Sequence, residues 1–250
     1  FVATKLGRRD HVFPDNFTPE NLRGCTEDSL KHLGVESLDL TQLHCLPTEV
    51  LRQGEVFDEM RKLQEAGLIR HWGVSVESME EALICLEQDG LTSLQIIFNV
   101  FRRKPAEILF EKAKAMNIAI IVRLPLASGL LSGKLSPDST FSENDHRGFN
   151  ADGQFFNVGE TFAGLGLDKG TELADELKQF VPEGMSMATM ALRWILDFDG
   201  ITTIIPGASR VEQAQANASV SKLPPLPDQL HEKLKAFYNE RVMSHIRGPY

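Results

Sequence analysis

Two side chains that could act on a carbonyl group follow short strand-like runs early in the chain. Lys5 ends a run that begins at Phe1, and His44 ends a second run that begins near Leu38. A desolvated ammonium group can lower the pKa of a nearby phenol or form a Schiff base, and an imidazole can hydrogen-bond a carbonyl oxygen. Singly, a strand-end lysine can equally extend into solvent and a histidine can be structural. On neighbouring parallel strands, however, both would lie at the edge of the sheet where active sites form.

A phosphate-binding pattern lies where the last predicted strand passes into a helix. Gly207 lets a ligand approach the backbone closely, Ser209 is a predicted N-cap, and Glu212 completes a predicted capping box. The free amides of such a helix start, together with the guanidinium of Arg210, suit a phosphate group. The alternative is a well-capped structural helix with Arg210 in solvent.

Two further segments offer polar groups at the same predicted edge. The loop of residues 124–134 contains glycine and serine, ends in Lys134, and could hold a diphosphate; it could also be a mobile loop with a solvated lysine. Ser75 and Gln95 end the third and fourth predicted strands, where a hydroxyl and an amide could hold a carboxamide. Polar residues at strand ends are also common without such a role.

These residues must be positioned by repeated βα units, because short β-branched runs alternate with helical patterns along the whole chain. Six strands are predicted, over residues 1–5, 37–43, 69–75, 94–99, 118–124 and 201–206. An α/β fold with a parallel sheet follows. Strand number, tilt and shear are linked when a sheet closes, so we expect a (β/α)8 TIM barrel whose first two βα units precede Phe1.

Local signals predict where several helices begin and end. Thr18 is a predicted N-cap before Pro19, with Gly34 as the stop, and Ser78 with Glu81 forms a predicted capping box. Further helices are predicted from Pro105 and over residues 170–180, 186–196 and 228–242. The segment 135–167 is rich in Gly, Asn, Asp and Ser, and its length predicts an active-site loop.

Composition limits the class of protein. A chain of 250 residues with 42% hydrophobic content predicts one domain over residues 1–250. With 26 basic and 35 acidic residues, the net charge of -9 disfavours nucleic acid as a partner. Three cysteines without metal-ligand spacing predict buried free thiols and a cytoplasmic setting. No apolar run is long enough to span a membrane, and no signal peptide is visible.

In combination, these segments resemble the aldo-keto reductase superfamily from Phe1 to about Ala218. The resemblance rests on five segments, Val2-Ala3-Thr4-Lys5, Ser29 to Gly34 with Asp39 to His44, Gly67 to Arg70 with Gly73 to Ser75, Pro125 to Lys134, and Pro206 to Ser209 with Glu212, Gln213 and Asn217. The resemblance implies an oxidoreductase that uses a tetrad of Asp, Tyr, Lys and His, with NADPH preferred to NADH. No residue here matches the Asp or the Tyr, so this chain alone is expected to be incomplete as a catalyst.

The resemblance also implies a role for each matching residue. Lys5 matches the lysine that tunes the tyrosine, and His44 matches the histidine that orients the carbonyl. Ser75 and Gln95 match the contacts to the carboxamide of the cofactor. The strap over the diphosphate is matched by Leu126, Ser128, Gly129, Ser132 and Lys134, and Arg147 resembles a loop arginine that folds over the phosphates. Ser209 and Arg210, beside Gly207, match the 2′-phosphate pocket, and Gln213 and Asn217 match contacts to the adenosine end.

Two positions depart from the family pattern. Val76 stands where an Asn is frequent, and Arg123 stands where an aromatic ring commonly stacks on the nicotinamide; a flat guanidinium can stack there instead. Two other functions remain open. One is an NADPH-binding regulatory protein like the channel-associated β subunits of the same superfamily. The other is a Schiff-base aldolase barrel with Lys5 as nucleophile. Neither the carbonyl substrate nor the oligomeric state is predicted.

Overall fold

The structure is a computed structural model that describes all residues from 1 to 250. The chain separates into two compact units. The first consists of Phe1–Ile96 and Glu111–Ile120, and the second of Ile97–Phe110 and Ile121–Tyr250. The single domain expected over residues 1–250 stays a prediction.

Six strands form one sheet and follow one another in chain order. They are β1 (Ala3–Leu6), β2 (Leu38–His44), β3 (Ile69–Ser75), β4 (Leu91–Ile97), β5 (Ala119–Arg123) and β6 (Thr203–Ile204). In the first unit β1, β2, β3 and β4 pair in parallel, and in the second unit β5 pairs in parallel with β6. The predicted α/β class with a parallel sheet is confirmed.

The bounds of β3 match the prediction, those of β1, β2 and β5 differ by one or two residues, and those of β4 and β6 differ most, for local reasons. Strand β4 runs from Leu91 to Ile97 rather than over 94–99, because the side chain of Asn99 accepts a hydrogen bond from the amide of Phe101 and closes a turn there. Strand β6 has only two residues rather than six. Pro206 follows closely and has no N–H group with which to continue the ladder.

The helices that precede β4 begin and end mostly where their caps predict. They are α1 (Pro19–Leu33), α2 (Thr48–Gln53), α3 (Glu55–Glu65) and α4 (Met79–Leu86). The Thr18 side chain accepts from the backbone of α1, Gly34 ends that helix at a φ of 65°, and Ser78 and Glu81 form both hydrogen bonds of a capping box. These capping predictions are confirmed.

The remaining helices follow in chain order. They are α5 (Lys104–Ile108), α6 (Phe110–Ala115), α7 (His146–Phe149), α8 (Leu167–Leu177), α9 (Met187–Leu196), α10 (Val211–Ser219) and α11 (Asp228–Phe237). The helix predicted from Pro105 is therefore interrupted near Leu109, and the helix predicted over 170–180 begins at Leu167 and ends in a 3₁₀ turn, Lys178–Phe180. The helix predicted over residues 228–242 is confirmed, because a π-helical turn, Tyr238–Val242, continues α11.

Each unit has its own aromatic packing. In the first unit the rings of Phe57 and Trp72 lie 5.9 Å apart. In the second unit Phe98 stacks on Trp194 at 4.9 Å and meets Phe198 edge-on at 5.0 Å. No helix combines the length and the apolar character that crossing a bilayer would require.

Candidate functional site

The predicted polar residues of the first unit lie in two adjacent rows across its strands. His44, at the end of β2, is in register with Ser75 at the end of β3, and Ser75 is in register with Gln95 on β4. Lys5 is in register with Gln42, two residues before His44. Since alternate residues of a strand share a face, these rows place their side chains on the same face of the sheet.

Gln95 is buried within this face and hydrogen-bonded to a residue that the sequence analysis did not single out. Its Nε2 donates to Oε1 of Gln42 at 2.9 Å, and Nε2 of Gln42 donates to Oγ of Ser93 at 3.4 Å. Gln95 also lies two residues before the end of β4, so its predicted position at the strand end is wrong. The pattern that could have revealed Gln42 is its i, i+2 spacing from His44 in an otherwise largely apolar strand.

Lys5 and His44 contribute to one small cavity of about 260 Å³ in the first unit. Lys5 is exposed and is followed by one more strand residue, Leu6, whereas His44 is half-buried and ends its strand. The backbone oxygen of His44 accepts a hydrogen bond from Nε of Arg8 at 3.0 Å. The structure thus places Lys5 and His44, the two predicted catalytic residues, in one cavity.

Ser75 lies beside one of the three cysteines. Its Oγ accepts a hydrogen bond from Sγ of Cys45 at 3.4 Å, and its backbone oxygen accepts from the Cys45 amide at 2.9 Å. Cys25, Cys45 and Cys85 are all buried and free, as predicted. Burial raises the pKa of the Cys25 thiol, an effect that Arg9 partly offsets, and burial also raises the pKa of Cys85.

The second unit contains a larger cavity, of about 810 Å³, lined by the residues that are predicted to hold a diphosphate. Nine of the predicted cofactor residues line it, namely Leu126, Ser128, Gly129, Ser132, Lys134, Arg147, Gly207, Ser209 and Gln213. The segment predicted as an active-site loop supplies one wall, with Ser142 and residues 144–147. Arg123 and Arg210 do not line this cavity, and Asn217 lines a different one of about 520 Å³.

The loop of residues 124–134 has an unusual backbone. Leu124, Ala127 and Ser128 have φ values of 52°, 49° and 56°, and Gly129 has a φ of 101°. Left-handed conformations cost energy in residues other than glycine, and they persist where the surrounding structure imposes them. Here the Ser128 hydroxyl accepts from the Phe162 amide at 3.0 Å and donates to the Glu160 oxygen at 3.1 Å. Ser128 therefore fastens this loop to the segment 158–164.

Arg147 is held in place by two neighbours. Its guanidinium donates to both carboxylate oxygens of Asp145, at 3.0 and 2.6 Å, and lies 4.4 Å from the ring centre of Phe141. These hydrogen bonds lower the pKa of Asp145 from 3.8 to about 2. A guanidinium fixed in this way is a preorganised cation on the cavity wall.

The start of α10 differs from the predicted capping box. The helix begins at Val211, and Gln213 rather than Glu212 completes the cap. Its Oε1 accepts from the amides of Ser209 and Arg210 at 2.8 and 3.1 Å, and from the Ser209 hydroxyl at 3.0 Å. The reason is the extended backbone of Arg210, which makes Arg210 the N-cap and moves the third helical position to Gln213.

Two other predicted cofactor-binding residues form an ion pair or a hydrogen bond within the protein. Arg123, at the end of β5, forms an ion pair of 3.1 Å with Glu160, and both side chains are largely shielded from solvent. Nδ2 of Asn217 donates to the backbone oxygen of Gly207 at 3.3 Å. The Arg123–Glu160 pair was not foreseen, because the two residues are distant in sequence and lie on different elements.

Comparison with known proteins gives a consistent result. The sequence model of the aldo/keto reductase family matches residues 1–239. A probable aldo-keto reductase of Glycine max is 26% identical over 220 residues, covering 86% of this chain and 60% of that protein. An aldo-keto reductase of Bacillus subtilis is 30% identical over 196 residues, covering 78% of this chain and 56% of that protein. The chain therefore spans less than two thirds of the length of these relatives.

Solved structures give the same picture. The glycerol dehydrogenase of Gluconobacter oxydans is similar with a TM-score of 0.74 and 29% identity, over 99% of this chain and 75% of that one. An aldo/keto reductase of Klebsiella pneumoniae, solved in complex with NADP and acetate, is similar with a TM-score of 0.63 and 20% identity, over 95% of this chain and 69% of that one. The second likeness concerns the fold alone.

Proposed function

The chain belongs to the aldo/keto reductase family, and on that premise we propose that its protein transfers hydride between NADPH and an aldehyde or ketone. The observation that carries the proposal is the cavity of about 810 Å³ in the second unit. Its volume is in the range of about 300–1,000 Å³ that is usual for cofactor sites. Family membership supports oxidoreduction, and the choice of NADPH rests on Ser209, which lines this cavity, and on the adjacent Arg210, which does not.

The residues of the cavity suit a molecule with several phosphate groups. Lys134 and Arg147 supply two cations, of which Arg147 is paired with Asp145, and the backbone can be approached closely at Gly207, where a Cβ would meet no atom within 4 Å. The start of α10 adds the positive end of a helix dipole. We assign the loop of residues 124–134 to the diphosphate, and Ser209 with Arg210 to the 2′-phosphate.

The first unit supplies the residues for the chemical step. NADPH, when bound, provides the hydride. The imidazole of His44 would donate a hydrogen bond to the carbonyl oxygen, and the ammonium of Lys5 would lower the pKa of the proton donor. Ser75 and Gln95 would hold the carboxamide, which fixes the orientation of the reacting ring.

For the full-length protein we also propose a fold and a cellular location. A (β/α)8 barrel is supported by the parallel sheet in chain order and by the similarity to the glycerol dehydrogenase structure. A cytoplasmic location is supported by three buried cysteines without a disulfide. The partner is a small carbonyl compound, and neither nucleic acid nor membrane is part of the proposal.

Turnover and binding should be measured together in the full-length protein. We expect oxidation of NADPH with a generic aldehyde, and reduction of NADP⁺ with glycerol is a useful second assay because a similar structure is a glycerol dehydrogenase. Lys5→Met should abolish turnover and leave NADPH binding, followed by fluorescence, largely unchanged. Lys31→Met, at an exposed lysine of α1, is the matched control. Retained turnover in Lys5→Met would refute the role of Lys5.

The same assays distinguish the two other functions. Tight NADPH binding without turnover, together with a stable partner on pull-down, would favour the regulatory protein. Trapping of a carbonyl adduct on Lys5 by borohydride would favour the aldolase. If the protein is a reductase, we expect turnover of NADPH and no carbonyl adduct on Lys5.

A further inference from the structure

Arg8 contacts the ends of the strands that carry the predicted catalytic residues Lys5 and His44. It follows β1 by two residues, and its guanidinium donates from Nε to the His44 oxygen and from Nη2 to the Cys45 oxygen, both at 3.0 Å. The same Nη2 atom lies 3.7 Å from a carboxylate oxygen of Glu77, which follows β3. One side chain therefore contacts the ends of β2 and β3 from the end of β1.

The backbone that Arg8 holds has an unusual conformation. Cys45 directly follows His44 and has a φ of 50°, in the left-handed region that residues other than glycine avoid. Such a conformation persists when surrounding contacts impose it, and two hydrogen bonds from one planar guanidinium to consecutive carbonyl groups are a contact of that kind. Arg8 therefore holds the peptide groups on either side of Cys45, the first of which joins it to His44.

Arg8 is itself well fixed. Its guanidinium lies 4.3 Å from the ring centre of Phe13, and its side chain is 26% exposed. Arg8 lines the cavity of about 260 Å³ to which Lys5 and His44 also contribute. Arg23, an exposed arginine on α1, lies outside this cavity and pairs with Glu27 at 2.8 Å.

We propose that Arg8 is a positioning residue that sets the orientation of His44 relative to Lys5 by holding the backbone of residues 44 and 45. This inference rests on the proposed function, because it assigns His44 to the carbonyl oxygen. Arg8 itself need not touch the substrate. Lysine cannot replace it, because an ammonium group lacks the planar, forked geometry that reaches both carbonyl oxygens.

The test compares Arg8→Gln and Arg8→Lys in the full-length protein, with Arg23→Gln, at an exposed ion pair with Glu27 on α1, as the matched control. We expect kcat for an aldehyde to fall about ten- to a hundredfold in both Arg8 variants, since small misplacements of reacting groups have effects of that size. The Kd for NADPH should change less than about twofold, because the cavity of the second unit is unaltered. Arg23→Gln should behave like the wild type.

Histidine side-chain NMR supplies a readout that does not depend on turnover. The His44 imidazole signals, assigned by their loss in His44→Gln, should shift in Arg8→Gln and Arg8→Lys and stay in place in Arg23→Gln. Unchanged His44 signals with kcat within about twofold of the wild type would overturn the inference. A wild-type protein without turnover would count against the proposed function alone. Arg8→Lys keeps the charge and the alkyl chain, so it serves as the test if Arg8→Gln does not fold.

Discussion

The side-chain amide of Gln95 donates a 2.9 Å hydrogen bond to the side-chain amide of Gln42, although the two residues lie on strands separated by β3. The bond crosses β3 at Gly73, which is in register with Gln42 on one side and with Ser93 on the other. A Cβ at Gly73 would lie 2.2 Å from Oγ of Ser93 and 2.5 Å from its backbone oxygen. Glycine at this position therefore leaves room for Ser93, whose hydroxyl accepts a hydrogen bond from Gln42.

Gly73→Ala should destabilise the protein. The added methyl group must displace the backbone of Ser93, and overpacking of this kind costs about 1–3 kcal/mol in free energy of unfolding. The measurement is chemical denaturation followed by circular dichroism. Gly24→Ala is the control, because Gly24 lies inside α1 with open space around its Cβ position, and it should stabilise by about 0.5–1 kcal/mol. Equal effects of the two substitutions would contradict this explanation.

Gln42→Met should weaken NADPH binding by acting through Gln95. Methionine has a similar shape but leaves the Gln95 amide without its acceptor, and loss of one hydrogen bond corresponds to about a three- to tenfold change in Kd. Fluorescence titration measures the effect. Gln64→Met removes a hydrogen bond to the Arg70 oxygen at an exposed site and should leave the Kd unchanged. An unaltered Kd in Gln42→Met would exclude a positioning role for Gln42.

The Asp145–Arg147 pair should stabilise the loop in a pH-dependent way. The pKa of Asp145 is lowered from 3.8 to about 2, mainly by the Arg147 hydrogen bonds. A carboxylate with a depressed pKa contributes stability that is complete above its unfolded value and declines as pH falls toward its folded value. The difference in Tm between the wild type and Asp145→Asn should therefore be constant above about pH 5 and shrink between about pH 4 and 2. A difference that does not vary with pH would contradict this.

Asp197 should be among the most sensitive positions of the second unit. Its buried carboxylate accepts from Arg193 at 2.7 and 2.9 Å, from the Leu226 amide at 3.0 Å and from His231 at 2.9 Å. Asp197→Asn leaves the Arg193 charge uncompensated, which costs about 3–5 kcal/mol. Denaturant unfolding gives the value. Asp175→Asn, which removes an exposed pair with Lys178, should cost less than about 1 kcal/mol.

The three thiols should react slowly. Cys25, Cys45 and Cys85 are 3%, 4% and 0% exposed, and burial raises the pKa of Cys25 and Cys85. A thiol with a raised pKa holds little thiolate at neutral pH. We expect the native protein to react with a disulfide reagent only on the time scale of unfolding, and the denatured protein to react at once with three equivalents. Rapid labelling of native Cys25 would show that its site opens readily.

Features fixed by neighbouring residues could be predicted from the sequence. The Thr18 and Ser78 caps and the bounds of β3 depend on side chains within a few positions, and all three are confirmed. The cap of α10 was missed by one residue, because the backbone angles of Arg210 decide which side chain reaches the free amides. Sequence spacing does not determine those angles.

The parts of the candidate site that were missed depend on register. Gln42 reaches Gln95 only because β2, β3 and β4 align at Gly73, and Arg8 reaches His44 only because the ends of β1 and β2 are adjacent. Such contacts join residues far apart in sequence and leave no local pattern. More of the residues that line the cavity of the second unit could be predicted from the sequence, because its loops carry glycine, serine and cationic residues in the order of a known family.

Calorimetric titration of the full-length protein with NADPH and with NADH tests the central claim most directly. The two cofactors differ by the 2′-phosphate, which we assign to Ser209 and Arg210 at the start of α10. We expect NADPH to bind at least about tenfold more tightly, and Arg210→Gln to remove most of this preference without weakening NADH. Equal affinity for both cofactors, or no binding of NADPH, would contradict the account.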